Sequence, residues 1–142
     1  MRNLLVPIDP THPERTRSAV AEAVRIYRED PVEIRLLRVQ PRLDGHVALC
    51  FGAAELAQLQ QAAGEADLAL ARSLLQEAGV PHTATVRVGR SAETIARTAR
   101  DFGCNRIVFG QEVPGFGSRV FGSLAQQVRH LLGGGEFQVL GS

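Results

Sequence analysis

Three short segments hold the residue types that bind ligands where strands end. The first is Val6-Pro7-Ile8-Asp9, an apolar run that closes on a carboxylate. Just past a strand, Asp9 can accept hydrogen bonds from an adenine amino group or a ribose hydroxyl. It can equally close an Asx turn that launches the next helix. The second is Leu37-Arg38-Val39. A strand-end backbone at Val39 can read the edge of an adenine with its own N–H and C=O, and the same residue can be no more than a buried valine. The third runs from Gly110 through a loop containing Gly115 and Gly117 to Gly122-Ser123-Leu124. Glycine lets a phosphate approach the backbone, and a helix start offers free N–H groups with a partial positive charge. The alternative is a flexible connection in which Ser123 is an N-cap contributing about 1 kcal/mol.

Other chemistries find less support. All 16 cationic residues are Arg, which excludes a P-loop lysine, a Schiff-base lysine and a lysine general base. No Ser/His/Asp set has a usable spacing. His12, His46, His82 and His130 fall on different elements and read as surface residues rather than metal ligands. Cys50 and Cys104 form neither a C-x-x-C motif nor a paired framework. With no visible base, lysine or metal cluster, an enzyme such as a slow ATPase or nucleotidyl transferase ranks last among the functional readings. The net charge of +1 provides no field to draw the chain to nucleic acid or an anionic membrane. No apolar stretch approaches the roughly 20 residues of a membrane span. Met1-Arg2-Asn3 runs straight into a short strand without the apolar core of a signal peptide. The expected compartment is the cytoplasm.

The elements that must position these segments follow from periodicity. A length of 142 residues with 44% hydrophobic and 22% charged residues suits one globular domain, residues 1–142. Leu4–Ile8 reads as a buried strand with Pro7 near its end. Thr11-His12-Pro13-Glu14 has the form of a capping box, ahead of a helical face of Val20, Ala23, Val24 and Tyr27. Val32–Val39 is a second strand, buried on both faces, and about 40–51 is a loop. Leu56, Leu59, Ala63, Ala66, Leu70 and Leu74 predict one long helix over 53–78, stopped by Gly79 and Pro81. His82–Val88 is strand three. Ala92, Ile95, Ala96 and Ala99 form a helical face ended by Gly103, and Arg106–Phe109 is strand four. Phe121, Leu124, Ala125, Val128 and Leu131 face inward from the next helix, Gly133-Gly134-Gly135 breaks it, and Phe137–Leu140 is a last strand. Strands separated by helices make an α/β fold with a parallel sheet and helices on both faces. Periodicity does not give the strand order.

Five of these pieces together resemble the universal stress protein family. Asn3-Leu4-Leu5-Val6-Pro7-Ile8-Asp9 is similar to its ILVPVD strand, and Leu36-Leu37-Arg38-Val39 to its LLHV strand. Val88-Gly89-Arg90-Ser91-Ala92-Glu93-Thr94-Ile95 resembles its V-x-x-G-x-P-A-E-x-I turn, and Arg106-Ile107-Val108-Phe109-Gly110 its D-L-I-V-M-G. Phe121-Gly122-Ser123-Leu124-Ala125-Gln126-Gln127-Val128 resembles L-G-S-V-A-x-x-V. The resemblance implies an open five-stranded parallel sheet of order 3-2-1-4-5, a homodimer paired through strand five, and a stress-response role. It also implies an adenine nucleotide, ATP with or without Mg, at the strand 1/strand 4 switch point. Asp9 and Val39 would hold the adenine and ribose side, and Gly110, Gly122 and Ser123 the ribose and phosphates, with Pro7 and Leu124 also among the cofactor-binding residues. Family members that bind ATP carry G-x-x-G-x9-G-S/T. Here Val113 stands at the second glycine and the loop to Gly122 is one residue shorter, with Gly115 and Gly117 as substitutes. A nucleotide-free dimeric interaction module of the same fold is the competing reading.

Overall fold

A computed structural model describes residues 2–42, 52–110, 124–133 and 137–141. The glycine loop read between Gly110 and Leu124, with Val113, Gly115, Gly117, Gly122 and Ser123, lies outside them, as does most of the loop read at 40–51. The described chain runs β1 (Asn3–Pro7), α1 (Pro13–Glu29), β2 (Glu33–Gln40), α2 (Ala53–Asp67), α3 (Ala69–Glu77), β3 (His82–Val88), α4 (Ser91–Asp101), β4 (Cys104–Val108), α5 (Leu124–Leu132) and β5 (Gln138–Leu140). The strands form one open parallel sheet ordered β3-β2-β1-β4-β5, the order the family resemblance implied.

Alternate residues of the inner strands serve opposite faces, so these strands are apolar throughout. Leu4 and Val6 of β1, with Ile34 and Leu36 of β2, pack under α1 and α3 against Ala19, Val20, Ala23, Leu68 and Leu75. Leu5, Leu37, Val39 and Ile107 face the other way, against Ile95, Ala96 and Ala99 of α4 and Ala125, Val128 and Leu132 of α5. Covering both faces fixes the register, because a one-residue slip would exchange every side chain between the two cores.

Three expectations are corrected. The long helix is two segments meeting at Leu68, whose N–H is shared between the Gly64 (3.2 Å) and Glu65 (3.1 Å) carbonyls. Its buried stripe is Gly64, Leu68, Ala71 and Leu75, one residue round from the expected Ala63, Leu70 and Leu74, and Leu59 is 49% exposed. Leucines at 68, 70, 74 and 75 offer two overlapping stripes. The bare Gly64, seated against Val86 of β3, selects between them. Next, the capping box does not form. His12 is the N-cap of α1 without a side-chain cap bond, Pro13 opens the helix, and the Thr11 hydroxyl turns back to Asp9. Finally, the inner stripe of α5 is Ala125, Val128 and Leu132, which leaves Leu124 and Leu131 largely exposed. No helix among the described residues is long and apolar enough to cross a membrane.

Candidate functional site at the β1/β4 switch

β1 stops at Pro7, which has no N–H to give a ladder. The last rung is the Ile8 N–H donating to the Leu37 carbonyl at 2.9 Å. β2 runs on to Gln40, paired with β3 and with the Gly89 N–H on the Gln40 carbonyl. Main-chain groups alternate sides along a strand of a parallel sheet. Val39 therefore turns its N–H and C=O to the same side as Leu37, past the end of β1. On the far side of β1, β4 ends with the Phe109 N–H on the Leu140 carbonyl (2.8 Å) and passes to Gly110. After β1 the chain crosses to one face through α1. The next described element after β4, α5, packs on the other face. Where connections diverge in this way, an open α/β sheet leaves a crevice at the carboxyl ends of its strands.

That crevice is present as a cleft of about 260 Å³. Its walls include the expected Pro7, Asp9, Val39, Gly110 and Leu124, drawn from β1, β2, β4 and the start of α5. Residues that sequence reasoning passed over join them: Arg15 and Thr16 from α1, Arg38 from β2, and Ser91 and Ile95 from α4. Arg38 stood inside the quoted strand motif. Arg15 and Thr16 carried no signal, because the apolar period of α1 begins only at Ala19.

Asp9 is engaged within its own turn. Its Oδ1 accepts the Thr11 N–H (3.0 Å) and the Thr11 hydroxyl (2.6 Å), and Oδ2 lies 2.9 Å from His12 Nδ1 and 3.8 Å from Arg15. The Asx-turn reading is thus realised, and one side of Oδ2 still faces the cleft wall's cation. Partial burial opposes ionisation of Asp9, but the hydrogen bonds from Thr11 and His12 outweigh it, so its carboxyl titrates below the ordinary aspartate value. Arg15 Nε is buried with no hydrogen-bond partner among the described residues.

Gly110 has a packing role independent of any ligand. A Cβ there would overlap the main chain of Arg15, 2.8 Å from its Cα and nearer still to its carbonyl oxygen. Just past β4, the chain at Gly110 therefore meets the first turn of α1 backbone to backbone at the cleft wall. Elsewhere the chemistry is muted. His82 bonds the Val80 carbonyl at the opposite end of the sheet (3.1 Å). Cys104 is buried at the start of β4, and burial pushes its thiol up to about 11, away from the thiolate that reactivity needs. Among the described residues no three His, Cys, Asp or Glu side chains gather as a metal site.

The family model described as the universal stress protein family matches residues 1–132. The chain belongs to that family. Solved universal stress proteins share its fold at low identity. One, in complex with cAMP, is 16% identical with a TM-score of 0.68, covering 99% of this chain and 95% of that one. One from Archaeoglobus fulgidus in complex with dAMP is 17% identical with a TM-score of 0.65, covering 99% and 96%. One from Arabidopsis thaliana with AMP bound is 18% identical with a TM-score of 0.67, covering 99% and 90%. A comparison with curated proteins gives no significant match. In this universal stress protein Asp9, Val39 and Gly110 line one cleft together with the cations Arg15 and Arg38.

Proposed function

We propose that this universal stress protein binds an adenine nucleotide, ATP included, in the cleft at the β1/β4 switch, and that its output is a change of shape or partner rather than turnover. One observation carries the reading: Asp9, Val39 and Gly110, far apart in sequence, line a single crevice where three strands end. The base reaches the Val39 backbone, the ribose lies toward Asp9, and Arg15 supplies a cation in the cleft wall. At about 260 Å³ the cleft is slightly below the roughly 300–1,000 Å³ of typical small-molecule sites, so it suits a nucleoside, with the phosphates projecting outward. Gly122, Ser123 and the substitutes Gly115 and Gly117 are the residues proposed to receive them. Any magnesium arrives on those phosphates. The complexes of cAMP, dAMP and AMP with proteins of this fold support the choice of ligand.

The test is thermal unfolding with and without ATP, together with mass spectrometry of small molecules released from protein purified from cells. A ligand at a hundredfold excess over Kd stabilises by about 2.7 kcal/mol, which raises the melting temperature by several degrees. Absence of any shift, and of any retained nucleotide, overturns the proposal.

A second reading, a nucleotide-free interaction module, draws on the engagement of Asp9 by Thr11 and His12 and on the packing role of Gly110. In both readings the protein pairs with a second copy through β5, whose three residues bond β4 on one side. Light scattering that gives a monomer mass at high concentration would sink the dimer.

A further inference from the structure

The carbonyl offered to a base at the end of β2 already has a donor. Arg38 Nη1 donates to the Val39 carbonyl at 2.7 Å, and Nε of the same guanidinium donates to Asp67 Oδ2 at 3.0 Å. The Arg38 side chain is only 20% exposed and lines the cleft, so the contact belongs to the site and not to the open surface. Asp67 stands at the last position of α2, and the ion pair ties the side chain of Arg38 to that helix.

This changes what a base meets. A bare strand end presents one donor, the Val39 N–H, and one acceptor, the Val39 C=O. The 6-amino edge of adenine, a donor beside ring-nitrogen acceptors, complements that pair. A carbonyl oxygen has two lone pairs, so with the guanidinium on one of them the edge gains donors beside its remaining acceptor. A 6-oxopurine offers two neighbouring acceptors, O6 and N7, the pair that arginine meets in two-pronged contacts with guanine. Adenine can still use the free lone pair of the carbonyl beside the guanidinium, and a 6-oxopurine can use the guanidinium where it lies.

We propose that Arg38 broadens the base specificity of this site, so that it accepts a 6-oxopurine nucleotide as well as an adenine one. The inference rests on the nucleotide reading above and goes beyond it by assigning base choice to a residue. The experiment is calorimetric titration of the full chain with AMP and with IMP, in the parent, in Arg38→Met and in Asp67→Asn. Met keeps the unbranched stem and removes the donors. Asn keeps the shape of Asp67 and releases the ionic tether. The parent binds the two nucleotides with similar affinity. Arg38→Met shifts the ratio about tenfold toward AMP, the equivalent of about one hydrogen bond lost by IMP. Asp67→Asn moves the ratio the same way by less, and it gives an independent readout if Arg38→Met folds poorly. A parent that already prefers AMP tenfold, or an AMP/IMP ratio equal in all three proteins, overturns the role of Arg38 and leaves nucleotide binding standing. Failure of both nucleotides to bind any of the three at millimolar concentration overturns the nucleotide reading and this inference with it.

Discussion

Gly110→Ala isolates the backbone contact at the cleft wall. An added Cβ would sit 2.7 Å from the Arg15 carbonyl carbon and 2.8 Å from its Cα, inside the ~3.5–4.0 Å of ordinary carbon contact. The obstacle is main chain and cannot rotate away. It is held in the first turn of α1 by the Arg15 and Thr16 N–H groups on the His12 carbonyl (3.0 and 3.3 Å), and α1 is rooted in the core by Ala19, Val20 and Ala23. Relief requires α1 or the end of β4 to shift, an overpacking cost of about 1–3 kcal/mol. Gly110 is not among the glycines with positive φ, so the substitution carries no left-handed strain and recovers ~0.4–1 kcal/mol by restricting the unfolded chain. The net expectation is a loss of about 1–2 kcal/mol. Urea unfolding without ligand reads it as a fall in midpoint of ~0.5–1 M. Gly52→Ala is the control, since a Cβ there meets nothing within 4 Å. If Gly110→Ala is as stable as the parent, the packing role of this glycine is wrong, and its place in the cleft must be explained by ligand alone.

The corrected helix face predicts that Leu75→Ala, fully buried, costs about 2–5 kcal/mol, while half-buried Leu70→Ala costs less than half as much; equal losses in urea would restore the original face. Gly64→Ala destabilises despite a gain of roughly 1 kcal/mol in helix propensity, because its Cβ would lie 2.8 Å from Val86 Cγ2, and Val86→Ala in the same chain should recover part of the loss. The carboxyl of Asp9 titrates below its unfolded value of about 3.9, so its contribution to stability is complete above that pH and fades as pH falls through the lower folded value. Unfolding midpoints measured from pH 2 to 6 should therefore show a flatter acid limb in Asp9→Asn than in the parent; identical profiles would show that the turn does not hold the carboxylate charged.

Most of the sheet was legible because buried parallel strands are continuous apolar runs, and β3 was read with the limits it has. Strand order was not in the periodicity and came only with the family resemblance. The helix on β3 was misread by one position because two leucine stripes compete, and what decides between them is the contact of Gly64 with Val86, which is distant in sequence. The capping box fails because the helix starts one residue later, with His12 as N-cap and Pro13 opening it, while the Thr11 hydroxyl donates to Asp9. Of the site, Asp9, Val39 and Gly110 were visible as strand-end residues. Arg15 was not, since a single arginine in the first turn of a helix has no pattern until the fold brings that turn against β4. Arg38 was visible but read only as part of a strand. Its bond to the Val39 carbonyl depends on where α2 places Asp67.

Amide chemical-shift mapping during titration of the isotopically labelled protein with ATP tests the nucleotide site most directly. Saturable shifts concentrated at Ile8, Asp9, Val39 and Gly110, with the Glu33 and His82 end of the sheet unmoved, are the predicted result. No saturable shift at millimolar ATP, or shifts confined to residues away from the β1/β4 switch, would contradict it.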